Sequence, residues 1–347
     1  MPLHSQRLEA GPVSSFYHFG PGLLGRLERF VEHHSRLVVV SDRNVAGLYQ
    51  AKVSVPAEWL VIEPGEASKS LEQARELYRQ LAQLKVDRSA GLLAVGGGVV
   101  GDLAGFVAAT YLRGIPFYQV PTSLLAMVDS SIGGKVGVDL PEAKNLVGAF
   151  YAPRSILVDP HCLDTLPQEE ISAGMAEVIK HALLDGEEHL ASIEALTPAQ
   201  PTWEFVYPSA QVKMGVVARD PKEAGERAYL NLGHTLAHAL ETVSDYGLSH
   251  GQAVSIGLIA AVRLARRLGH LEVDYEPRLL TLLERWRLPT RLERDYGWPQ
   301  VLEVMARDKK NRDGQLTFVL PQRPGQVEVV RGVDPARVEE VYRGLCS

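Results

Sequence analysis

Apolar positions along this chain change period once, near the middle, and the change divides the molecule. In the first half, short β-branched runs bounded by turn residues alternate with amphipathic stretches, the pattern of a parallel α/β sheet. Residues 36–42 (RLVVVSD), 59–66 (WLVIEPGE), 90–98 (AGLLAVGGG), 116–123 (PFYQVPTS) and 154–160 (RSILVDP) read as strands. Residues 70–86 and 101–114 place apolar side chains at helical spacing and read as helices. From about Pro167 the helical period dominates, in ISAGMAEVIKHALL, around WEFVYPSAQVKMGVVARD, and in RAYLNLGHTLAHALETV, GQAVSIGLIAAVRLARRLG and PRLLTLLERW. QLTFVLP and QVEVVRG then predict a short hairpin. The expected organisation is an α/β domain over 1–160 followed by a mostly α-helical domain over 161–347.

Within the first domain, Gly96-Gly97-Gly98-Val99-Val100-Gly101 follows a predicted strand and opens a predicted helix. Backbone N–H groups of such a turn, with the helix N-terminus behind them, suit a pyrophosphate. The turn sits late in the domain and lacks the usual acid about twenty residues on, so it is Rossmann-like rather than the ordinary fingerprint. Asp42, ending its strand, is placed to take ribose hydroxyls. Glu66 and Lys69 flank the adenosine in this reading, and Asp102 is either a ligand contact or a helix-capping acid. In residues 121–145, glycines 133, 134 and 137, the hydroxyls of Ser130 and Ser131, and Lys135 and Lys144 collect in what reads as one loop built for an anion.

The helical half carries a metal-type pattern. His234 and His238 are four apart, one above the other on a helix face, and His250 follows in LSHGQAV. The candidate carboxylate is Glu177, inside a periodic apolar helix with Lys180 and His181 one turn on. Spacing alone reads His234 and His238 as the ligand pair.

Composition narrows the partners. A net charge of −6 and a pI near 6.0 argue against nucleic-acid binding. Two cysteines, Cys162 and Cys346, provide no disulfide framework. No apolar run reaches the roughly 18 residues of a membrane span, and the N-terminus shows no leader pattern, so a cytoplasmic protein is expected. Of 36 basic residues only 10 are lysine, which makes each lysine informative.

Taken together, GE-x-x-K at 65–69, GGGVVGDLAGFVAAT, PTSLLAMVDSSIGGKVGVD, KNLVGAFYAP, AEVIKHALL, NLGHTLAHALE and LSHGQAV resemble the 3-dehydroquinate synthase family from Asp42 to Lys310. The resemblance implies a Rossmann-like NAD-binding domain and a helical metal-binding domain. It implies NAD+ and a divalent metal, Zn2+ or Co2+, held by Glu177, His234 and His250; His238 then becomes a catalytic histidine beside the metal, not a ligand. For the cofactor it implies Asp42, Asn44, Glu66, Lys69, Gly97, Gly98, Val99, Asp102, Thr122, Ser123, Lys144, Cys162 and Thr165. For a phosphorylated sugar acid it implies Arg113, Lys135, Lys144, Asn145, Lys213, Arg227, Asn231 and Lys310, with Arg113 donated across a homodimer interface. Catalytic parts fall to Asp129, Lys135, Asn145, Lys180 and His238. The implied reaction converts 3-deoxy-D-arabino-heptulosonate 7-phosphate to 3-dehydroquinate and phosphate through transient oxidation, elimination, reduction and aldol closure, a step of aromatic amino acid biosynthesis. The rivals are another sugar phosphate cyclase and a metal-dependent polyol dehydrogenase.

Overall fold

The computed structural model describes residues 3–10, 13–141, 143–198, 203–223, 225–245, 247–307 and 315–346. By its internal contacts the chain divides into two units, residues 1–171 with 206–221 and residues 172–205 with 222–347. The division therefore falls later than the expected 160, and one helix of the C-terminal half belongs with the sheet.

The first unit opens with β1 (His4–Ala10) and β2 (Val13–Phe19), an antiparallel pair that the sequence reading did not identify. It continues through β3 (Leu37–Asp42), α1 (Arg43–Tyr49), β4 (Glu58–Ile62), α2 (Leu71–Gln83), β5 (Gly91–Gly96), α3 (Gly98–Thr110) and β6 (Phe117–Pro121). A hairpin of β7 (Lys135–Leu140) and β8 (Ala143–Phe150) precedes β9 (Ser155–Val158). Among the described residues, seven strands form one sheet in the order β1-β2-β9-β6-β5-β3-β4, and every pairing but β1 with β2 is parallel. From β3 the chain steps outward to β4, whereas from β5 it steps the other way to β6. The carboxyl ends of β3 and β5 therefore flank the point where strand order reverses, the place where α/β sheets bind ligands.

Val38, Val40, Leu92 and Ala94 are buried between the sheet and the apolar stripes of α2 and α3. On α2 that stripe is Ala74, Leu77 and Leu81, and the Ser70 side chain caps the helix by accepting from the Gln73 N–H. The later part of the stretch expected to be an anion loop, from Lys135 on, is instead the β7–β8 hairpin, with Lys135 opposite Phe150. Alternation decides this: Val136 and Val138 are buried in the same core as α3, while the glycines and lysines drew the sequence reading toward a loop.

The remaining helices are α4 (Gln168–Asp185), α5 (Glu187–Glu194), α6 (Val206–Arg219), α7 (His234–Val243), α8 (His250–Leu268), α9 (Glu276–Arg285) and α10 (Trp298–Ala306). The predicted hairpin forms as β10 (Leu316–Arg323) and β11 (Gln326–Val333), followed by α11 (Pro335–Arg343). Helix α6 packs with the first unit. The expected continuous helix from Arg227 is interrupted: residues 226–231 form a 3-10 turn, and α7 starts only at His234. Gly233 breaks it with a left-handed φ of 80°, which a side chain adopts only at a cost.

Candidate active site

The helical unit brings Glu177 of α4, His234 of α7 and His250 of α8 to one point. His234 Nε2 and His250 Nε2 lie 3.4 and 3.2 Å from the same Glu177 Oε1. The second Glu177 oxygen pairs with the ammonium of Lys180, one turn along α4. His234 Nδ1 donates to the Leu232 carbonyl at 3.1 Å, and His250 Nδ1 donates to a Glu241 carboxylate oxygen at 3.4 Å. With both Nδ1 atoms committed as donors, the Nε2 atoms of both rings face one carboxylate oxygen, and only a cation or a proton can bridge such a set. Ligands about 2.0–2.1 Å from a tetrahedral zinc stand about 3.4 Å apart, which is the spacing observed. The donor set therefore fits a divalent metal.

Burial would push the Glu177 carboxyl up, yet Lys180 and the two histidines together hold it well below the usual range. The two rings respond oppositely. Burial takes His234 down to about 4 despite Glu177. At His250 the same burial is outweighed by bonds to two carboxylates, Glu177 and Glu241, and its pKa is pushed up to about 10. His238 stands beside the cluster, half-buried, its ring 5.3 Å from that of His234 and perpendicular to it. The i, i+4 pair read from spacing alone is thus a ligand candidate and its neighbour, with His250 completing the set from another helix.

Close backbone contacts fix this geometry. Gly251, next to His250, lies so near α4 that a Cβ there would meet the Ala173 backbone at 2.3 Å. Gly233, next to His234, lies against the backbone of α8 at Gly257 and Leu258. Ser249 and Gln252 form a capping box that sets where α8 begins.

In the sheet unit, Gly97 is the residue before α3, and Gly98 and Val99 form its first turn, half-exposed. The first N–H groups of a helix have no partner within it, so this turn offers donors to an anion. A recess beside it is lined by Gly96, Gly97, Gly101, Asp102, Pro121 and Ser130, among others. Asp42 sits at the end of β3, where its Oδ1 accepts from the N–H groups of Asn44 and Val45 and caps α1. Thr122 is buried, with its N–H on the Gly96 carbonyl, and the Ser123 hydroxyl accepts from the Ala126 N–H. The Tyr49 hydroxyl meets both the Cys162 carbonyl and the Thr165 hydroxyl, bringing those two expected residues together.

Lysine chemistry in this unit is organised by a network. Lys69, only 5% exposed, pairs with Asp102 at 2.8 Å and donates to Asn145 Oδ1 at 2.7 Å. Lys144 pairs with Glu66 at 3.5 Å. Burial would lower the Lys69 pKa, but Asp102, Glu66 and Asp139 outweigh it and hold it raised. Residues assigned separately to adenosine and to phosphate thus share one cluster, and Asp102 serves as an ion-pair partner instead of a helix cap. Lys213 of α6 pairs with Asp129 Oδ1 and donates to its carbonyl, both at 2.8 Å. Asp129 lies on a π-helical turn, Ala126–Ser130, a local irregularity common at functional sites.

Of the other expected residues, Lys135 is exposed on β7 and Arg113 is exposed on a turn where Leu112 and Arg113 have φ of 51° and 66°. Arg227 is 2% exposed, and Asn231 donates to Glu223 at 3.3 Å. Lys310 lies outside the described residues. Sequence reasoning passed over Asp139, which accepts from the Asn145 N–H at 2.8 Å, and Glu241. Glu241 had a readable signal, since it follows His234 and His238 along one stripe of α7.

Residues 59–173 match the family model for the 3-dehydroquinate synthase N-terminal region, and residues 174–311 match that for its C-terminal region. A 3-dehydroquinate synthase of Symbiobacterium thermophilum is 45% identical, across 94% of this chain and 97% of that protein. A 2-deoxy-scyllo-inosose synthase, solved with carbaglucose-6-phosphate, NAD+ and Co2+, superposes with a TM-score of 0.88 at 25% identity, covering 98% of this chain and 99% of that one. The 2-epi-5-epi-valiolone synthase of Streptomyces hygroscopicus, solved with NAD+ and Zn2+, gives 0.86 at 27%, covering 98% and 99%. The two cyclases share the fold at lower identity, whereas the bacterial relative agrees over nearly the whole length and the two family models over residues 59–311: this chain belongs to the 3-dehydroquinate synthase family.

Proposed function

We propose that this chain is a 3-dehydroquinate synthase, converting 3-deoxy-D-arabino-heptulosonate 7-phosphate to 3-dehydroquinate and phosphate with NAD+ and a divalent metal, zinc or cobalt. The carrying observation is the convergence of Glu177, His234 and His250 in a chain whose two halves both match that family. When bound, the nicotinamide takes and returns a hydride, and the metal acts as a Lewis acid on a substrate hydroxyl.

The chain's own residues divide the remaining work. Glu177, His234 and His250 would hold the metal. The N–H groups at Gly97, Gly98 and Val99 would hold the cofactor pyrophosphate, with Asp42 and Asn44 toward the ribose and Thr122, Ser123, Cys162 and Thr165 toward the rest of the cofactor. The network of Glu66, Lys69, Asp102, Lys144 and Asn145 presents fixed charge without reorganisation, the property that lets an enclosed site act on a charged reactant. Lys135, Arg227, Asn231 and Lys310 would take the phosphate and carboxylate. Asp129, paired with Lys213, holds that ammonium in place and would orient a substrate hydroxyl. His238, perpendicular to His234 and half-buried, is the group to move that hydroxyl's proton, while Lys180 keeps Glu177 ionised.

We further propose a homodimer in which Arg113, exposed on its left-handed turn, reaches the partner's substrate. Among the described residues no helix is long and apolar enough to cross a membrane, and a cytoplasmic location is part of this reading.

The test is phosphate release from the heptulosonate phosphate, with NADH absorbance followed in the same sample. Phosphate without net NADH, abolished by a chelator, is expected. Stoichiometric NADH without phosphate would move the chain to the polyol dehydrogenases. Mixing Arg113→Ala with an inactive His250→Ala variant should restore activity if the arginine acts across a dimer.

A further inference from the structure

We propose that Glu241 is a positioning residue: it aims His250 at the metal and sets how tightly the metal is held. This rests on the metal site proposed above and extends it to a residue outside the ligand set.

The three ligands are each tied down through the atom not turned to the cluster: Glu177 Oε2 by the Lys180 ammonium, His234 Nδ1 by the Leu232 carbonyl, and His250 Nδ1 by Glu241 Oε2. Two of these tethers come from the helix that bears the ligand or from the adjacent backbone. The third crosses from α7 to α8. Glu241 can make it because His234, His238 and Glu241 fall at i, i+4 and i+7, along one face of α7. The first residue points at the metal position, and the last reaches the ring that completes the set.

A carboxylate 6% exposed is costly to bury without partners that repay its desolvation. Its placement also answers an electrostatic need. His250 is the first residue of α8, where the helix dipole disfavours added positive charge. A carboxylate on its Nδ1–H offsets that field, fixes the tautomer that leaves Nε2 free to ligate, and raises the ring's basicity toward a metal. For His234 a backbone carbonyl performs the same orienting task and cannot be altered by substitution. For His250 it resides in one side chain.

The experiment uses the full chain as the parent protein, Glu241→Gln and His250→Ala, each stripped of metal and titrated with Co2+ and Zn2+ against a chromophoric chelator. The visible spectrum of the Co2+ forms and the melting temperature of the metal-free proteins are recorded alongside. Glu241→Gln keeps the side-chain volume but loses the charge. We expect it to bind about 10- to 100-fold more weakly than the parent, with a shifted Co2+ absorption band, and His250→Ala to bind more weakly still. A Co2+ spectrum and affinity unchanged within about twofold overturn the assignment, whatever the melting temperature, because a merely structural carboxylate alters stability and not the coordination spectrum. A parent that binds neither ion overturns the metal site itself, and this inference with it.

Discussion

The glycine turn ahead of α3 and the Glu177–His234–His250 cluster are built on opposite principles. The first is made of main chain: its chemistry lies in N–H groups that any residue could supply, and glycine serves to let a ligand approach. The second is made of side chains from three helices, held in register by backbone contacts elsewhere. A backbone site tolerates changes in side-chain identity but not in bulk, whereas a side-chain site tolerates neither the loss of a ligand nor a shift of the helices that carry it.

Four experiments sharpen that contrast, in falling order of effect. Glu177→Gln should be the most damaging, because it removes a ligand and breaks the buried pair with Lys180, which is 1% exposed. Breaking such a pair costs about 3–5 kcal/mol. Metal binding and phosphate release should both vanish, and the melting temperature should fall; retention of metal at parental affinity would refute the site. Gly251→Ala touches no ligand, but its Cβ would press on Ala173 and lever α8 from α4. A destabilisation of about 1–3 kcal/mol is expected, together with weaker metal binding in a chelator competition and little change in NAD+ affinity.

Gly98→Ala should do the reverse. Its Cβ would stand 3.1 Å from the Ser130 hydroxyl and crowd the turn. NAD+ affinity, read by calorimetry, should drop about tenfold, or 1.4 kcal/mol, with metal affinity unchanged. Equal losses of both ligands in either glycine variant would show that the two sites do not respond independently.

The smallest effect is chemical. Each unit holds one cysteine, and burial pushes the Cys162 thiol up to about 12, with Asp159 adding to it. A raised pKa means that almost no thiolate exists near pH 8. Cys162 should therefore resist a thiol reagent until its unit unfolds, while the partly exposed Cys346 reacts first. Simultaneous labelling would contradict the burial assigned to Cys162.

Local patterns carried much of this in advance. Residues 36–42, 90–98 and 116–123 announced strands through β-branched runs, and the helices bearing Glu177, His234 and His250 announced themselves through their period. The glycine turn was legible because everything it needs lies within six consecutive residues. The β7–β8 hairpin was not, since its glycines and lysines masked the alternation of Val136 and Val138, and its burial against α3 is a long-range event. Nor could periodicity foresee the break at Gly233, which exists because that residue packs on α8.

The sequence by itself determined the central parallel strands and most of the helices, the glycine turn and the set of residues from which a metal site would be drawn, because each follows from spacing along one helix or strand. Spacing left open that His250 joins His234 on Glu177, which the family resemblance implied, and only the tertiary structure decided that Glu241 backs His250 and that Lys69 meets Asp102 and Asn145. Those pairings join residues far apart in the chain, and their distances are set by how helices and strands pack, a quantity that no local spacing contains.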